Sequence, residues 1–366
     1  MIRTYCLLQS LQRDWRVDYV AFENSAKSLR GATVLRPLVL AGNKLKLFES
    51  FRPFFWFLKV PYTLYMHQKV GRIIYRKLRS ERFDAVLLDY TKMAHYFSLI
   101  KDRRVKKILN VHNTESDTAR QMMQHAKKRA AKCIYWLQWK LFESYEIRFV
   151  PRCHLLLAPS WEDAGFYQRL APNIKTAVVP NAVDTEALKL LDDPEEPLSL
   201  IYPGRMDYAP NVEAVRLFCQ EILPHVAKTF PSARFYIVGK NPPRAVQDLA
   251  SDRVVVTGYV EDVLPFWRKT AALVVPLAVG GGTRIKILEA MALGRPVVST
   301  SKGSEGLEVR HGEHLLIADN PRAFAEAVVA LLRRPEEYRG MMRAARRRVE
   351  EKYSYAAIGT LLRELL

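Results

Sequence analysis

The stretch Val274–Thr300, VVPLAVGGGTRIKILEAMALGRPVVST, constrains this chain more than any other part of it. An apolar run from Ala272 to Leu277, short enough for a buried parallel strand, leads into three glycines at Gly280, Gly281 and Gly282. Thr283 is expected as the N-cap of a helix on which Ile285, Leu288 and Ala292 recur at helical spacing, and Gly294 with Pro296 stops it before a second apolar strand. Strand, glycine loop and helix start together make an anion site. Backbone N–H groups and the positive end of the helix dipole converge there, and no side chain blocks approach. Lys286 and Glu289, three residues apart, project from one face of the helix away from its apolar stripe. A cation for phosphate and a carboxylate for hydroxyls in one place point to a sugar nucleotide. The pattern is neither the Walker sequence, since no Gly-Lys-Ser/Thr follows, nor G-x-G-x-x-G. An ordinary βαβ turn whose glycines only permit tight packing is the competing reading.

A chain of 366 residues exceeds what one core usually supports, so two domains are expected. The acidic, proline-bearing stretch Leu190–Pro197, LLDDPEEP, marks the boundary and separates residues 1–185 from 198–350. Residues 351–366 are expected as a C-terminal helix packing back toward the first domain. Charge is divided unevenly: residues 1–180 hold 32 Lys and Arg against 14 Asp and Glu, so +18 of the net +19 belongs to the first half. That excess implies an anionic partner, a membrane surface above all, or else a solvated face. Nucleic acid is disfavoured because no recognised motif accompanies the charge. Cys6, Cys133, Cys153 and Cys219 are widely spaced, without a C-x-x-C pair, which argues for a reducing compartment and against a structural metal. No leader-like or membrane-spanning apolar run is present, so a cytoplasmic protein, peripheral at the inner membrane face, is expected.

Along the first half, a helix over 3–13 and strands over 16–22 and 32–38 are followed by the aromatic and cationic stretch Lys44–Arg79. Rings beside Lys and Arg suit a peripheral membrane contact; aromatics in a core with cations at its edge fit equally well. Strands follow at Asp84–Asp89 and Lys106–His112, then a long helical region to Phe149 that carries Glu143 and Glu146 near its end. Strand HLLLAPS, a helix from Trp161 and strand TAVVPNAVD close this half. His112 stands at a strand's carboxyl end, where open α/β sheets bind ligands, and is a candidate functional residue; a structural histidine is the alternative. In the second half, strand and helix alternate again from Leu198, with Arg205 in the loop after the first strand. The region from Pro335 is helical, with Arg346, Arg347 and Arg348 on a solvated face. Both halves are read as doubly wound α/β units facing a cleft that holds the active site. Arg205 and Lys286 could neutralise a diphosphate while Glu289 accepts from a ribose diol, although Arg205 could equally form a surface ion pair.

The segments VHNTESDTARQM, VVPNAVD, YPGRMDYAPNVEAV, VVVTGYVEDV, VPLAVGGGTRIKILEAMALGRPVVST and GSEGLEV make the chain resemble, nearly end to end, a GT-B glycosyltransferase of family 4, the retaining group 1 class. It is most similar to the bacterial branch associated with exopolysaccharide clusters. The resemblance implies transfer of a sugar from a nucleotide diphosphate sugar to a hydroxyl of a glycan or lipid-linked acceptor. It maps the ribose-binding glutamate to Glu289, the phosphate-binding arginine to Arg205 and the cleft histidine of the first domain to His112. Lys286 then faces the diphosphate, and the amides about Gly281, Gly282 and Thr283 hold the donor. No metal or other cofactor is implied, and the lack of a D-x-D sequence fits a metal-independent enzyme.

Three departures stand out. The wider family's glutamate eight residues before Glu289 is replaced by Gly281, and its lysine downstream of the arginine is replaced in the region Ala209, Pro210 and Asn211, so that Lys286 would take over that charge. Relatives also begin with a strand before a segment like IRTYCLL, so the first strand is expected to lie upstream of Met1. A sugar-nucleotide epimerase of the same fold, or an inactive membrane- or partner-binding protein, are the rival readings.

Overall fold

Short apolar runs become strands here because both of their faces are covered. In strand β7, Glu196–Pro203, the residues Leu200, Ile201 and Tyr202 are fully buried in succession, and in β10, Thr270–Val275, so are Leu273, Val274 and Val275. Alternation of burial would mark a sheet with one wet face; continuous burial marks a parallel sheet between two helical layers. The computed structural model describes residues 19–22, 37–40 and 68–366, apart from 127 and 280–283. The expected helix over 3–13, most of the Lys44–Arg79 stretch, and Gly281, Gly282 and Thr283 lie outside the described residues. The chain divides into two compact units, Met1–Pro180 with Ile358–Leu366, and Asn181–Ala357.

The second unit carries a six-stranded parallel sheet. Its strands are β7, β8 (Arg234–Val238), β9 (Val254–Gly258), β10, β11 (Val297–Ser299) and β12 (Leu316–Ile317), in the spatial order β12-β11-β10-β7-β8-β9. The first strand of the unit is therefore central, and the chain winds outward from it in both directions. Between β7 and β10 the order reverses, and the loops leaving these two strands diverge to opposite faces. This switch point is where an open α/β sheet offers a ligand crevice, and it brings the loop holding Arg205 beside the stretch that opened the sequence analysis.

After β10 the helix Ile285–Ala292 buries Ile287, Leu288, Ala290, Met291 and Ala292. Its N-cap is Arg284, without a side-chain capping bond, so the helix begins one residue later than a Thr283 cap would set it. Gly294 ends it at φ +74°, a conformation open to glycine at little cost, and Arg295 N returns to Ala290 O. The acidic stretch Leu190–Pro197 belongs to this unit: Leu191 N donates to Leu293 O, Arg295 donates to Asp192 O at 2.7 Å, and β7 starts already at Glu196.

One expectation needs correction. Of the three arginines read as a solvated face on the helix Arg339–Lys352, Arg346 turns inward and donates to Thr185 O (3.0 Å), Leu188 O and Ala292 O. A guanidinium has five donors, and here they satisfy carbonyls of chain segments that have no other partner within a helix or ladder.

The first unit holds a four-stranded parallel sheet in sequence order, β3 (Ala85–Asp89), β4 (Lys106–Asn110), β5 (Leu155–Ala158) and β6 (Lys175–Val178). A separate parallel pair joins β1, Tyr19–Phe22, to β2, Pro37–Leu40, which ends two residues beyond the expected strand. The helix Gln68–Ser80 sets Ile74 and Leu78 against the core, and Arg129–Phe149 does the same with Tyr145 and Phe149. Ser160 caps Trp161–Leu170 by accepting from Asp163 N. From the terminal helix Tyr355–Leu365, Leu365 O and Leu366 O accept from Lys106 Nζ, both at 3.3 Å. Among the described residues no helix is long and apolar enough to cross a membrane.

Candidate functional site

At the carboxyl edge of the second unit's sheet the backbone of two loops is in contact. Gly204 N donates to Val238 O, Gly239 N to Gly258 O and Met206 N to Lys240 O. A Cβ at Gly239 would lie 1.7 Å from Gly204 O, so only glycine allows this approach. The loop after β7 is pinned by it, and Arg205 and Lys286 are thereby given a fixed frame.

Lys286 reaches into this frame from the helix Ile285–Ala292. Its Nζ sits 3.5 Å from the centroid of the Tyr202 ring and 3.4 Å from Asn211 Oδ1, beside Gly204. Asn211 links three groups: its Oδ1 accepts from Tyr202 Oη at 2.7 Å, and its Nδ2 donates to Arg205 O at 2.8 Å. The aromatic face and the amide oxygen hold the ammonium in place of a carboxylate. Burial, reinforced by the Arg284 charge and opposed by Glu289, pushes the Lys286 ammonium well below its usual range. Burial likewise raises the Glu289 carboxyl to about 7, against the pull of Lys286. Desolvation outweighs their mutual attraction, and an anionic ligand would return charge to Lys286.

Arg205 is differently placed. Its side chain is 67% exposed and forms a two-pronged pair with Asp207, at 2.9 and 2.7 Å, which also accepts from Asn241. The surface ion pair considered from the sequence therefore exists, two residues along the same loop. Tyr259, next to Gly258 at the end of β9, is 72% exposed on the same edge.

In the first unit, β4 ends at Asn110 rather than at His112, and His112 stands just past the carboxyl end. Its Nε2 lies 2.8 Å from Asp89 Oδ1, which also accepts from Asn110 Nδ2 at 2.6 Å. The Tyr90 ring stacks on the imidazole, centroids 3.6 Å apart and 14° from parallel, and Tyr90 has φ +77°. Behind this edge lies Glu146, fully buried, against Ser116 Oγ (2.5 Å) and Tyr167 Oη (3.2 Å). Burial raises its carboxyl to about 8, with Glu115 adding to the shift and the Ser116 and Tyr167 bonds opposing it. Lys92 pairs with Glu115 at 3.1 Å.

Lys286 and Arg205 thus lie at the carboxyl edge of the second unit's sheet with Glu289 on the helix of Lys286, and His112 lies just past the carboxyl end of β4 in the first unit. No functional role is legible in the sequence for Asp89, Tyr90 or Tyr202, and Asn211 figures there as a helix start and in a departure from the family pattern, not as a site residue. One signal was available for Asp89: in a parallel sheet the last residues of neighbouring strands align, and Asp89 pairs in register with Asn110.

Residues 3–187, half of the chain, match the family model described as Glycosyltransferase Family 4. The chain belongs to glycosyltransferase family 4. Residues 197–334 match a second model, Glycosyl transferases group 1, so both units of this family 4 chain are covered. Among curated proteins it is 29% identical over 166 residues to a phosphatidyl-myo-inositol mannosyltransferase of Mycobacterium leprae (strain TN), 42% of this chain and 44% of that protein. It is 25% identical over 140 residues to an uncharacterized 44.6 kDa protein in the cps region of Klebsiella pneumoniae, 36% of each. The matches span under half the length of either curated relative.

Among solved structures, sucrose-phosphate synthase from Thermosynechococcus elongatus superposes with a TM-score of 0.73 at 16% identity, covering 99% of this chain and 90% of that one. Anabaena HepE in complex with UDP gives 0.68 at 13% identity, covering 98% and 94%. At these identities the likeness shows the fold, which is GT-B.

Proposed function

We propose that this chain transfers a hexosyl group from a nucleotide diphosphate sugar to a hydroxyl of a glycan or lipid-linked acceptor, with retention at the anomeric carbon, in bacterial polysaccharide synthesis. One observation carries the reading: an ammonium, Lys286 Nζ, is held by a ring face and an amide at the switch point of a parallel sheet, with Glu289 one turn further along the same helix. Lys286 and Arg205 take the diphosphate, and Glu289 accepts from the ribose hydroxyls. The bond from the anomeric carbon to the diphosphate breaks, the acceptor oxygen bonds to that carbon from the same face, and its proton leaves on the departing diphosphate. Charge neutralisation falls to the two cations rather than to a metal. His112, oriented by Asp89, hydrogen-bonds a substrate hydroxyl from the first unit.

The match to a protein of a cps region supports the placement in polysaccharide synthesis, and the mannosyltransferase match supports a lipid-linked acceptor. An anionic membrane surface is the proposed location, at the cytoplasmic face. It is supported by the +18 charge of residues 1–180 and by the helix Gln68–Ser80, which exposes Arg72, Arg76 and Arg79 beside the half-exposed Tyr75.

A thermal-shift panel of UDP, GDP, ADP and dTDP sugars tests the reading. A ligand at 100 times its Kd stabilises the folded state by about 2.7 kcal/mol, so one of the four should raise Tm by several degrees. No shift with any of them would sink the proposal.

A further inference from the structure

Tyr167 and Glu146 are both fully buried in the first unit, and the transfer reaction uses neither. A polar group sealed from water costs free energy unless it is bonded, so its partners show what it holds in place. Tyr167 comes from the helix Trp161–Leu170 that follows β5, and Glu146 from the helix Arg129–Phe149 that precedes it.

The Tyr167 hydroxyl meets three groups at 3.2 Å: Glu146 Oε1, Asn113 O and Thr91 Oγ1. Two of them adjoin the histidine in the chain or in space. Asn113 follows His112, and Thr91 follows Tyr90, whose ring stacks on the imidazole. One phenol therefore ties the loop after β4 to the loop after β3, each within a residue of a member of the stacked pair. Tyr90 has φ +77°, a conformation that persists only where the surroundings hold it, and the Thr91 bond is part of that hold.

Glu146 fastens the far end of the same segment. Its Oε2 lies 2.5 Å from Ser116 Oγ, and its carboxyl also accepts from the Ser116 N–H, in the first turn of the helix Glu115–His125. The N-cap Thr114 makes no side-chain capping bond, so a carboxyl from a neighbouring helix satisfies an amide at this helix start. The segment from Asn113 to Ser116, directly after the imidazole, is thus held at both ends by one buried pair.

Proton counting adds a condition. The phenol has one proton and three oxygens around it. Thr91 can donate to it, so the phenol proton goes either to Asn113 O or to Glu146. A protonated Glu146 leaves it with Asn113 O, and a carboxylate draws it away. Burial, with like charge from Glu115, raises the Glu146 carboxyl to about 8. The other charged groups facing the pair are Asp163, on the helix of Tyr167, and Lys92, which pairs with Glu115 at 3.1 Å.

We infer that Tyr167 and Glu146 are positioning residues for His112, because together they fix the two loops that carry the imidazole and the ring stacked on it. The inference deepens the transferase reading and rests on it for the effect on turnover; the effect on the imidazole is independent of any reaction.

NMR of the full chain with carbon-13 in its histidines tests it, His112 being assigned by its loss in His112→Gln. In the wild type the stacked Tyr90 ring shifts the His112 ring C–H resonances upfield. Tyr167→Phe keeps the buried ring and removes only the hydroxyl. Those resonances should then move downfield, and kcat should fall about tenfold, while the affinity for the nucleotide diphosphate is unchanged. A Tyr167→Phe chain whose His112 resonances stay in place, or whose kcat is that of the wild type, overturns the inference. Should Tyr167→Phe fail to fold, Glu146→Gln decides. Neutral at every pH, it should keep the turnover that the wild type loses above about pH 8, and an equal alkaline fall in both overturns the inference. Failure of the transferase reading would look different: the His112 resonances would respond to Tyr167→Phe while no nucleotide sugar bound or was consumed.

Discussion

Each unit buries a carboxylic acid beneath the carboxyl edge of a parallel sheet, and the two are handled in opposite ways. Glu146 in the first unit is enclosed by hydroxyls, and its nearest charged influence is another carboxylate, Glu115; burial and like charge both favour the protonated form. Glu289 in the second unit sits one turn from Lys286, and there an opposite charge resists the same desolvation. The first edge is therefore a hydrogen-bonding surface beside an aromatic ring, with Asp89, Asn110 and His112 joined and Tyr90 stacked on the imidazole. The second carries two cations, and burial depresses one of them, the Lys286 ammonium, which an anion would recharge. One topology supports both, because the chemistry lies in the loops and not in the sheet.

The largest effect expected from this contrast is on stability in the first unit. The folded state keeps the Glu146 proton up to about pH 8, while the unfolded chain releases it near 4.5. Between those limits the folded state binds more protons, so this group lowers stability as pH rises, by up to about 1.4 kcal/mol per pH unit. Glu146→Gln, nearly isosteric and uncharged, should flatten that slope when denaturation midpoints at pH 5, 7 and 9 are compared with the wild type. An unchanged slope would mean the carboxyl is ionised in the fold.

Next in size is the anion site. Lys286→Met should weaken nucleoside diphosphate binding by about thirtyfold, or about 2 kcal/mol, measured by calorimetry, and leave the free nucleoside unaffected. Because burial depresses the ammonium in the empty site, binding of the anion should be accompanied by proton uptake, visible as a dependence of the heat on buffer ionisation enthalpy. Glu289→Gln should cost about tenfold for ribonucleotides and nothing for 2′,3′-dideoxynucleotides.

A smaller effect concerns the surface of the first unit. Charge reversal at Arg72 and Arg76 should reduce sedimentation with vesicles rich in anionic lipid by about fivefold per residue, with the loss vanishing at high salt. Equal binding by the variants would place the membrane contact elsewhere.

The smallest expected effect is at Arg205. Since it is exposed and paired with Asp207, Arg205→Ala should weaken diphosphate binding only about threefold, and Asp207→Ala should strengthen it by a similar factor. A thirtyfold loss in the first variant would show that the ion pair opens fully on binding.

Much of this was legible in the chain. The apolar runs at 200–202 and 272–275 read as buried strands, and the i, i+3 spacing put Lys286 and Glu289 on one helical face because local geometry alone decides such matters. His112 was found because polar residues after an apolar strand fall at the sheet edge. Asp89, Tyr90, Tyr202 and Asn211 were not singled out, since each is unremarkable in its own segment. The lysine contributes its position only once β7 is known to lie beside β10, far apart in the chain. Arg346 was misplaced for the same reason: helical spacing gives its face, but the carbonyls of Thr185, Leu188 and Ala292 that draw it inward come from two distant segments.

By itself, then, the order of residues determined the elements, the alternation of strand and helix, and the placing of Lys286 and Glu289 on one face of a helix, all of which rest on periodicities a few residues long. The tertiary structure decided what holds those charges. An aromatic face, an amide and a bare backbone gather about Lys286, and a carboxylate and a stacked ring about His112. These partners are set by strand order and by close packing, which no local period encodes.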